Sequence, residues 1–252
     1  MQQSTCSALI ATGSWKLGWT LEPLVATMAF VIFTRLFRFG EQRASHSMFA
    51  APHHFTIRGA GSLVSYWLGV ALWVTVVPKP VGAPIGCPTD AADAVRLALE
   101  VCCGIFFYDF IFFWLHLLMH TSSTVAWLAH HEQHHKYAAD ESGFRTVNHS
   151  LIDGTFQVLV NILVQRHTPW GAPKSLLARL LHNVILIEML VESHTSSARP
   201  RIARRLFAGV DRHCQHHRNG GGPPYQQLFG HLDAALAWWQ ERRRRREQGK
   251  TR

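Results

Sequence analysis

Apolar residues fall in five runs of unequal length. Gly59 to Pro78 (GAGSLVSYWLGVALWVTVVP) carries no charge over about 20 residues, enough for a helix to cross the hydrocarbon core of a bilayer. Pro23 to Phe33 is apolar but short, and reaches spanning length only with Trp15 to Glu22 added. Leu97 to Met119 is crowded with aromatics (Phe106, Phe107, Tyr108, Phe110, Phe112, Phe113, Trp114) yet holds Glu100 and Asp109. Ionisable groups at such depth are costly and face an interior or a cavity. Thr155 to Val164 and Ser175 to Val191 are shorter or interrupted by Arg179, His182 and Glu188, with the breakers Pro169 and Gly171 between them. This pair predicts a hairpin that dips into or crosses the membrane. The pattern as a whole predicts an all-α, multi-pass membrane helical bundle with three or four spanning helices.

Composition changes this picture little. Charged residues make up 16% of the chain, against roughly 25% in a soluble domain. The mean hydropathy of +0.02 is pulled down by 17 histidines and an arginine-rich tail. Five cysteines without regular spacing give neither a disulfide framework nor a cysteine zinc site. The start lacks the basic segment and small-residue cleavage site of a secretory signal, an expectation against a secreted protein.

The net charge of +9 matters through its placement. Arg35, Arg38, Arg43 and Arg58 lie between the first two runs, whereas Lys79 to Arg96 is nearly neutral. By the positive-inside rule the first connection is cytoplasmic, so the third run returns to the cytoplasm near His120, and Arg199 to Arg252 lies on that same side. In this topology Cys6 and Cys87 share the opposite side, where a disulfide can persist, with two free thiols the expected state and a bond between them the alternative. Arg242 to Arg246 follow Trp238 and Trp239, an order that fits anchoring to anionic headgroups better than a nucleic-acid patch. The chain divides into membrane helices and connections (1–96), a histidine-bearing catalytic region (97–235) and a basic tail (236–252).

The chemistry begins where the third run ends. His116 and His120 form HxxxH, and residues four apart share one helical face. Next comes AHHEQHHK, where His131, His134 and His135 read HxxHH; DRHCQHHRN repeats that spacing with His213, His216 and His217. With 17 histidines in 252 residues, HxxHH arises by chance about 0.08 times per chain, so two copies point to design rather than to a histidine-rich surface. The register of box two is open at one point, because His130 and His134 also stand four apart. Eight neutral imidazoles on convergent helices supply four nitrogens to each of two metal ions. Imidazole suits iron, zinc, copper and nickel alike, so ligand type does not name the metal. Soluble di-iron bundles use Glu with Glu-x-x-His, whereas these boxes are almost purely histidine.

DFIFFWLHLLMH, HHEQHH and HCQHH, in that order, resemble the fatty acid hydroxylase/sterol desaturase superfamily of membrane enzymes over Leu97 to Asp233. Asp109, seven residues before the first box histidine, fits the run into box one, and His149 with Asp153 resembles a His-Pro-x-x-Glu-like segment. The chain departs from the pattern at Leu117, where members often carry Arg, and at GGGPPYQQLFGHLD, where many carry Asn-Tyr-Gly; Tyr225 and Asp233 match the tail of that segment. The resemblance implies a cytosolic helical cap holding a di-iron site, in which zinc can substitute. It adds His194 as a ninth ligand to His116, His120, His131, His134, His135, His213, His216 and His217. It also implies dioxygen-dependent hydroxylation or desaturation of a lipid, sterol or fatty acyl in type. The expected site is the endoplasmic reticulum membrane in a eukaryote or the inner membrane in a bacterium. Asp109, Asp153 and Glu192 are candidates to orient imidazoles.

A rival reading sits inside box two. His131-Glu132-Gln133-His134-His135 is literally HExxH, in which two histidines bind zinc and the glutamate is general base of a metalloprotease. That reading leaves His116, His120 and most of box three without a role. Neither a glycine-rich dinucleotide fingerprint nor a cysteine cluster is present, so electrons are expected from a separate carrier such as a cytochrome b5 or ferredoxin. Its acidic surface would meet the basic cytosolic face. No nucleic-acid partner is expected.

Overall fold

A computed structural model describes residues 21–33, 64, 67–69, 71–72, 87–135, 149–194, 207, 212–213, 215–217 and 219–250. The elements there are helices: α1 (Leu21–Phe33), α2 (Ala91–Thr121), α3 (Ser123–Ala129), α4 (Glu132–His135), α5 (Leu151–Arg166), α6 (Leu176–Ser193) and α7 (His231–Lys250). Most of the uncharged run from Gly59 to Pro78 lies outside the described residues.

α2 organises the rest. Asp90 caps it by accepting from the Asp93 amide, and Ser122 ends it while capping α3 in turn. Its 31 residues make a rod of about 46 Å, longer than a bilayer core of about 30 Å. One face (Val101, Ile105, Tyr108, Phe112) is buried at helical spacing, while Leu99, Phe106, Phe110, Trp114 and Leu118 are exposed around the rest. A helix apolar all round suits lipid on its outer side. Among the described residues α2 is the one helix long and apolar enough to cross a membrane. The 16-residue α5 and the 18-residue α6 cover the two late runs as a pair of helices, neither of them long and apolar enough to cross a membrane.

The core lies where α2, α5 and α6 meet: Val101, Ile105, Tyr108 and Phe112 pack with Val160, Ala178, Leu186, Met189 and Leu228. Polar side chains pin the same helices together. Asn161 and Gln165 of α5 donate to Asn183 Oδ1 of α6 (3.0 and 2.7 Å), and His182 Nε2 meets Asn161 Oδ1 at 3.0 Å. Such amide bonds hold helices together where packed side chains exclude water. Glu100 of α2 accepts from both the amide and the hydroxyl of Ser175, the residue capping α6. A carboxylate at that place also favours the positive end of the α6 dipole. Arg179 of α6 pairs with Glu22 of α1 at 2.8 Å.

Cys87, just before α2, is disulfide-bonded, whereas Cys102 and Cys103 are free; Cys6 lies outside the described residues.

Candidate metal centre

The C-terminal end of α2 delivers box one. His116 is fully buried and His120 half-buried one turn later, their Nε2 atoms 3.2 Å apart. α3 then ends at His130, which adopts a left-handed conformation (φ 49°) and stays exposed. That turn aims the next residue inward: His131 is buried and His130 is not, which settles the register of box two. On α4, His134 is buried and His135 half-buried, while Glu132 is exposed. Box three is helical at residues 212–213 and 215–217, and buries His213, His216 and His217. His194 follows the end of α6 and is buried beside box two.

The nine histidines form two groups able to hold a metal ion: His116, His120, His131, His135 and His216, then His134, His194, His213 and His217. The groups abut, with the rings of His135 and His217 4.6 Å apart. The boxes are thus interleaved, because box two and box three each serve both groups.

The tautomers decide what these rings face. His116 Nδ1 donates to the Tyr225 carbonyl (2.7 Å), His194 Nδ1 to the Leu190 carbonyl (2.7 Å), and His216 Nδ1 to the Gly222 carbonyl. His131 Nδ1 donates to Asp153 Oδ2 at 2.8 Å. Carbonyl and carboxylate oxygens only accept, so these Nδ1 atoms carry the proton and each Nε2 presents a lone pair. Three of those lone pairs face other imidazole nitrogens: His116 to His120 and His131 to His135 at 3.2 Å, and His194 to His134 at 3.3 Å; the Nε2 atoms of His213 and His217 also stand 3.1 Å apart. Two nitrogens each about 2.1 Å from one metal ion stand about 3.0–3.4 Å apart at angles of 90–109°. The spacing fits cation ligation, and a carbonyl or carboxylate behind the ring is the usual outer partner of a ligating histidine. The Nε2 of His216 is buried without a hydrogen-bond partner, as a nitrogen reserved for a metal should be.

Burial keeps the imidazoles neutral, the form that ligates. Desolvation pushes His134 and His213 far below the ordinary range, and lowers His217 likewise, reinforced in each by neighbouring imidazoles. His135 falls to about 2 and His216 to about 4, again chiefly through burial. Because these folded values lie below the unfolded value of about 6.5, the unfolded chain takes up protons first as pH falls. Metal-stripped protein should therefore hold its stability above pH of about 6.5 and lose it progressively toward about 4. Thermal unfolding in detergent across that interval checks this; an unchanged midpoint would refute it.

Sequence reasoning singled out Asp153, and it is the residue that orients His131. It is held in turn: Ser150 caps α5 by accepting from the Asp153 amide, while its hydroxyl donates to the Ala129 carbonyl, and Gln157 donates to Asp153 Oδ1 at 3.0 Å. Asp109 touches none of the imidazoles through its hydrogen bonds; its carboxylate accepts from the amides of Gln227, Leu228 and Phe229 and from Gln226 Nε2. Glu192 is buried two residues before His194. Sequence reasoning noted the segment from Gly221 to Phe229 only as a departure from the family pattern and missed that its Gly222 and Tyr225 carbonyls orient His216 and His116. Gly221 adopts φ +90°, and a Cβ there would meet the His120 ring at 2.7 Å, so only glycine fits. Backbone acceptors leave no side-chain signature; the available signal was the glycine run directly after box three.

A helical bundle carrying two adjoining polyhistidine groups able to hold metal, one end of it built on an apolar helix of membrane-crossing length, defines a class of histidine-box protein. The sequence model of the fatty acid hydroxylase family matches residues 101–237, more than half of the chain. The chain belongs to that family, a membrane-associated group of lipid hydroxylases and desaturases. No curated protein and no solved structure matched the chain.

Proposed function

We propose that this chain is an integral-membrane di-iron oxidoreductase that uses dioxygen to hydroxylate or desaturate a lipid, sterol or fatty acyl in type. The observation that carries this reading is the convergence of nine imidazoles into a group of five and a group of four. In this reading His116, His120, His131, His135 and His216 hold one iron ion, and His134, His194, His213 and His217 the other. The bound ions supply the activation of dioxygen for oxidation of an unactivated C–H bond.

The chain's own residues do the rest. Asp153 and the carbonyls of Leu190, Gly222 and Tyr225 fix ring orientation and tautomer, so no reorganisation is needed when a metal is loaded. Tyr225 lies against His116, His120 and His216, with its ring 5.4 Å from His120, and covers that side of the five-histidine group. Electrons come from a separate carrier, a cytochrome b5 or a ferredoxin, docking on the basic cytosolic face. We place the protein in the endoplasmic reticulum of a eukaryote or the inner membrane of a bacterium, metal site toward the cytoplasm. Purified protein should contain close to two metal ions per chain, iron when active. Elemental analysis finding one zinc, with activity indifferent to iron removal, would overturn the proposal.

The exposed Glu132 argues against the metalloprotease alternative, since a general base must face the metal-bound water. Glu132→Gln should leave lipid oxidation within about twofold, whereas a zincin loses its general base and with it about 10²-fold or more. A turnover assay on that one variant separates the two enzyme classes.

A further inference from the structure

Beyond its first turn α7 has no part in the metal site. It is rooted firmly: Asp233 in its first turn accepts from the amides of Tyr225 and Gln226, and His231 stacks on Phe106 of α2 at 5.6 Å. Beyond that root it is bare, exposed on all sides from Ala237 to Gly249. Trp238 and Trp239 are 62% and 52% exposed, an unusual cost for the two largest apolar side chains in a helix. Arg242 lies over the Trp238 ring at 5.2 Å and Arg243 over Trp239 at 5.9 Å. The ion pairs Arg245–Glu241 (2.7 Å) and Arg243–Glu247 (2.9 Å) support the helix one turn apart. Glu241 to Lys250 hold five arginines and one lysine against two glutamates, a net charge of +4.

We propose that α7 is a docking helix for the anionic surface of the membrane in which α2 sits, with Trp238 and Trp239 at headgroup depth and Arg242 to Arg246 on lipid phosphates and carboxylates. Three observations carry this. Indole rings flanked by arginines are the side chains that partition to the boundary between headgroups and acyl chains. The charge at the end of the helix is mixed but strongly net positive, +4 over Glu241 to Lys250, complementary to an anionic leaflet. The root beside Phe106 tethers α7 to the flank of the apolar helix, and its 20 residues reach no more than about 30 Å from there. The rings that water would leave uncovered are covered by lipid, and the guanidinium groups already stacked on them extend outward to the headgroups.

The proposal rests on α2 crossing a membrane, so its test reads both. The full chain, with Cys102 and Cys103 replaced by serine and Gln248→Cys carrying an environment-sensitive dye, is reconstituted into vesicles of phosphatidylcholine alone or with phosphatidylserine. The same chain without Gln248→Cys gives the background. In vesicles containing phosphatidylserine the dye should shift to shorter wavelength and become about tenfold less accessible to a water-soluble quencher. High salt should reverse this, and replacing Arg242 to Arg246 with glutamine should abolish it. Equal accessibility in both kinds of vesicle overturns the proposal. So does protection that appears only when an acidic soluble protein is added, which would make α7 a protein-docking surface. Alkaline carbonate extraction separates the two levels: release of the whole chain defeats the membrane reading, whereas a retained chain whose dye ignores phosphatidylserine defeats the docking proposal alone.

Discussion

Replacing His217 with alanine is expected to abolish lipid oxidation and to empty the four-histidine group, while the protein still inserts into membranes. His217 stands between the groups, its Nε2 3.1 Å from that of His213 and its ring 4.6 Å from His135. Its removal takes away one of four nitrogens from a group with no spare ligand. Activity should fall by well over the roughly 10–100-fold that follows loss of a residue merely supporting a metal ligand. Metal content should fall from about two ions per chain to about one, measured on protein purified from the membrane fraction. The comparison with His130→Ala sharpens the test, because His130 is exposed and outside both groups. That variant should keep its metal and its activity. Full turnover by His217→Ala would remove box three from the site.

The second large effect is expected at Asp109, a residue with no bond to any imidazole. Its buried carboxylate gathers three backbone amides and one side-chain amide from Gln226 to Phe229. Asp109→Ala strands four donors in a buried place, at about 1–3 kcal/mol for each one that finds no substitute. A total of several kcal/mol is a large share of the stability of an ordinary domain. The loop so released is the one whose Gly222 and Tyr225 carbonyls orient His216 and His116. Asp109→Ala should therefore lower the unfolding midpoint and also loosen the five-histidine group, read as faster loss of metal to a chelator. Asp109→Asn keeps one acceptor oxygen and should show both effects in weaker form. A destabilised protein that held its metal as tightly as the parent would separate the loop from the metal centre and refute the link.

How much of this was legible in the sequence follows from which interactions are local. Box spacing is a property of one helical turn, so i, i+3 and i+4 histidines announce themselves wherever the helix later goes. The apolar run from Leu97 to Met119 specified α2 in the same way, and Pro169 with Gly171 marked the break between α5 and α6. The caps at Ser150 and Ser175 came from the structure, although the preference of serine for a helix start is itself local. The sequence also contained the ambiguity between His130 and His131. One left-handed residue at the end of α3 decided it, and no spacing rule foresees a backbone dihedral.

The partition of the histidines was decided by tertiary structure alone. Spacing offered eight ligands, four to each metal, with His194 added by resemblance. The folded chain interleaves them five and four, because His134 turns to His194 while its neighbour His135 turns to His131 and His216. Asp109 was placed by its spacing near box one, yet its partners lie 117 to 120 residues downstream. Long-range pairing of that kind depends on where two chain segments meet, which is set by the packing of α2 against α5 and α6 and leaves no periodic trace. By itself the sequence determined the helices, the histidine faces they carry and the end of the long apolar helix at which the histidine boxes begin. Tertiary structure decided which imidazole faces which, and which carbonyl stands behind it, because those are contacts between parts of the chain that no local rule connects.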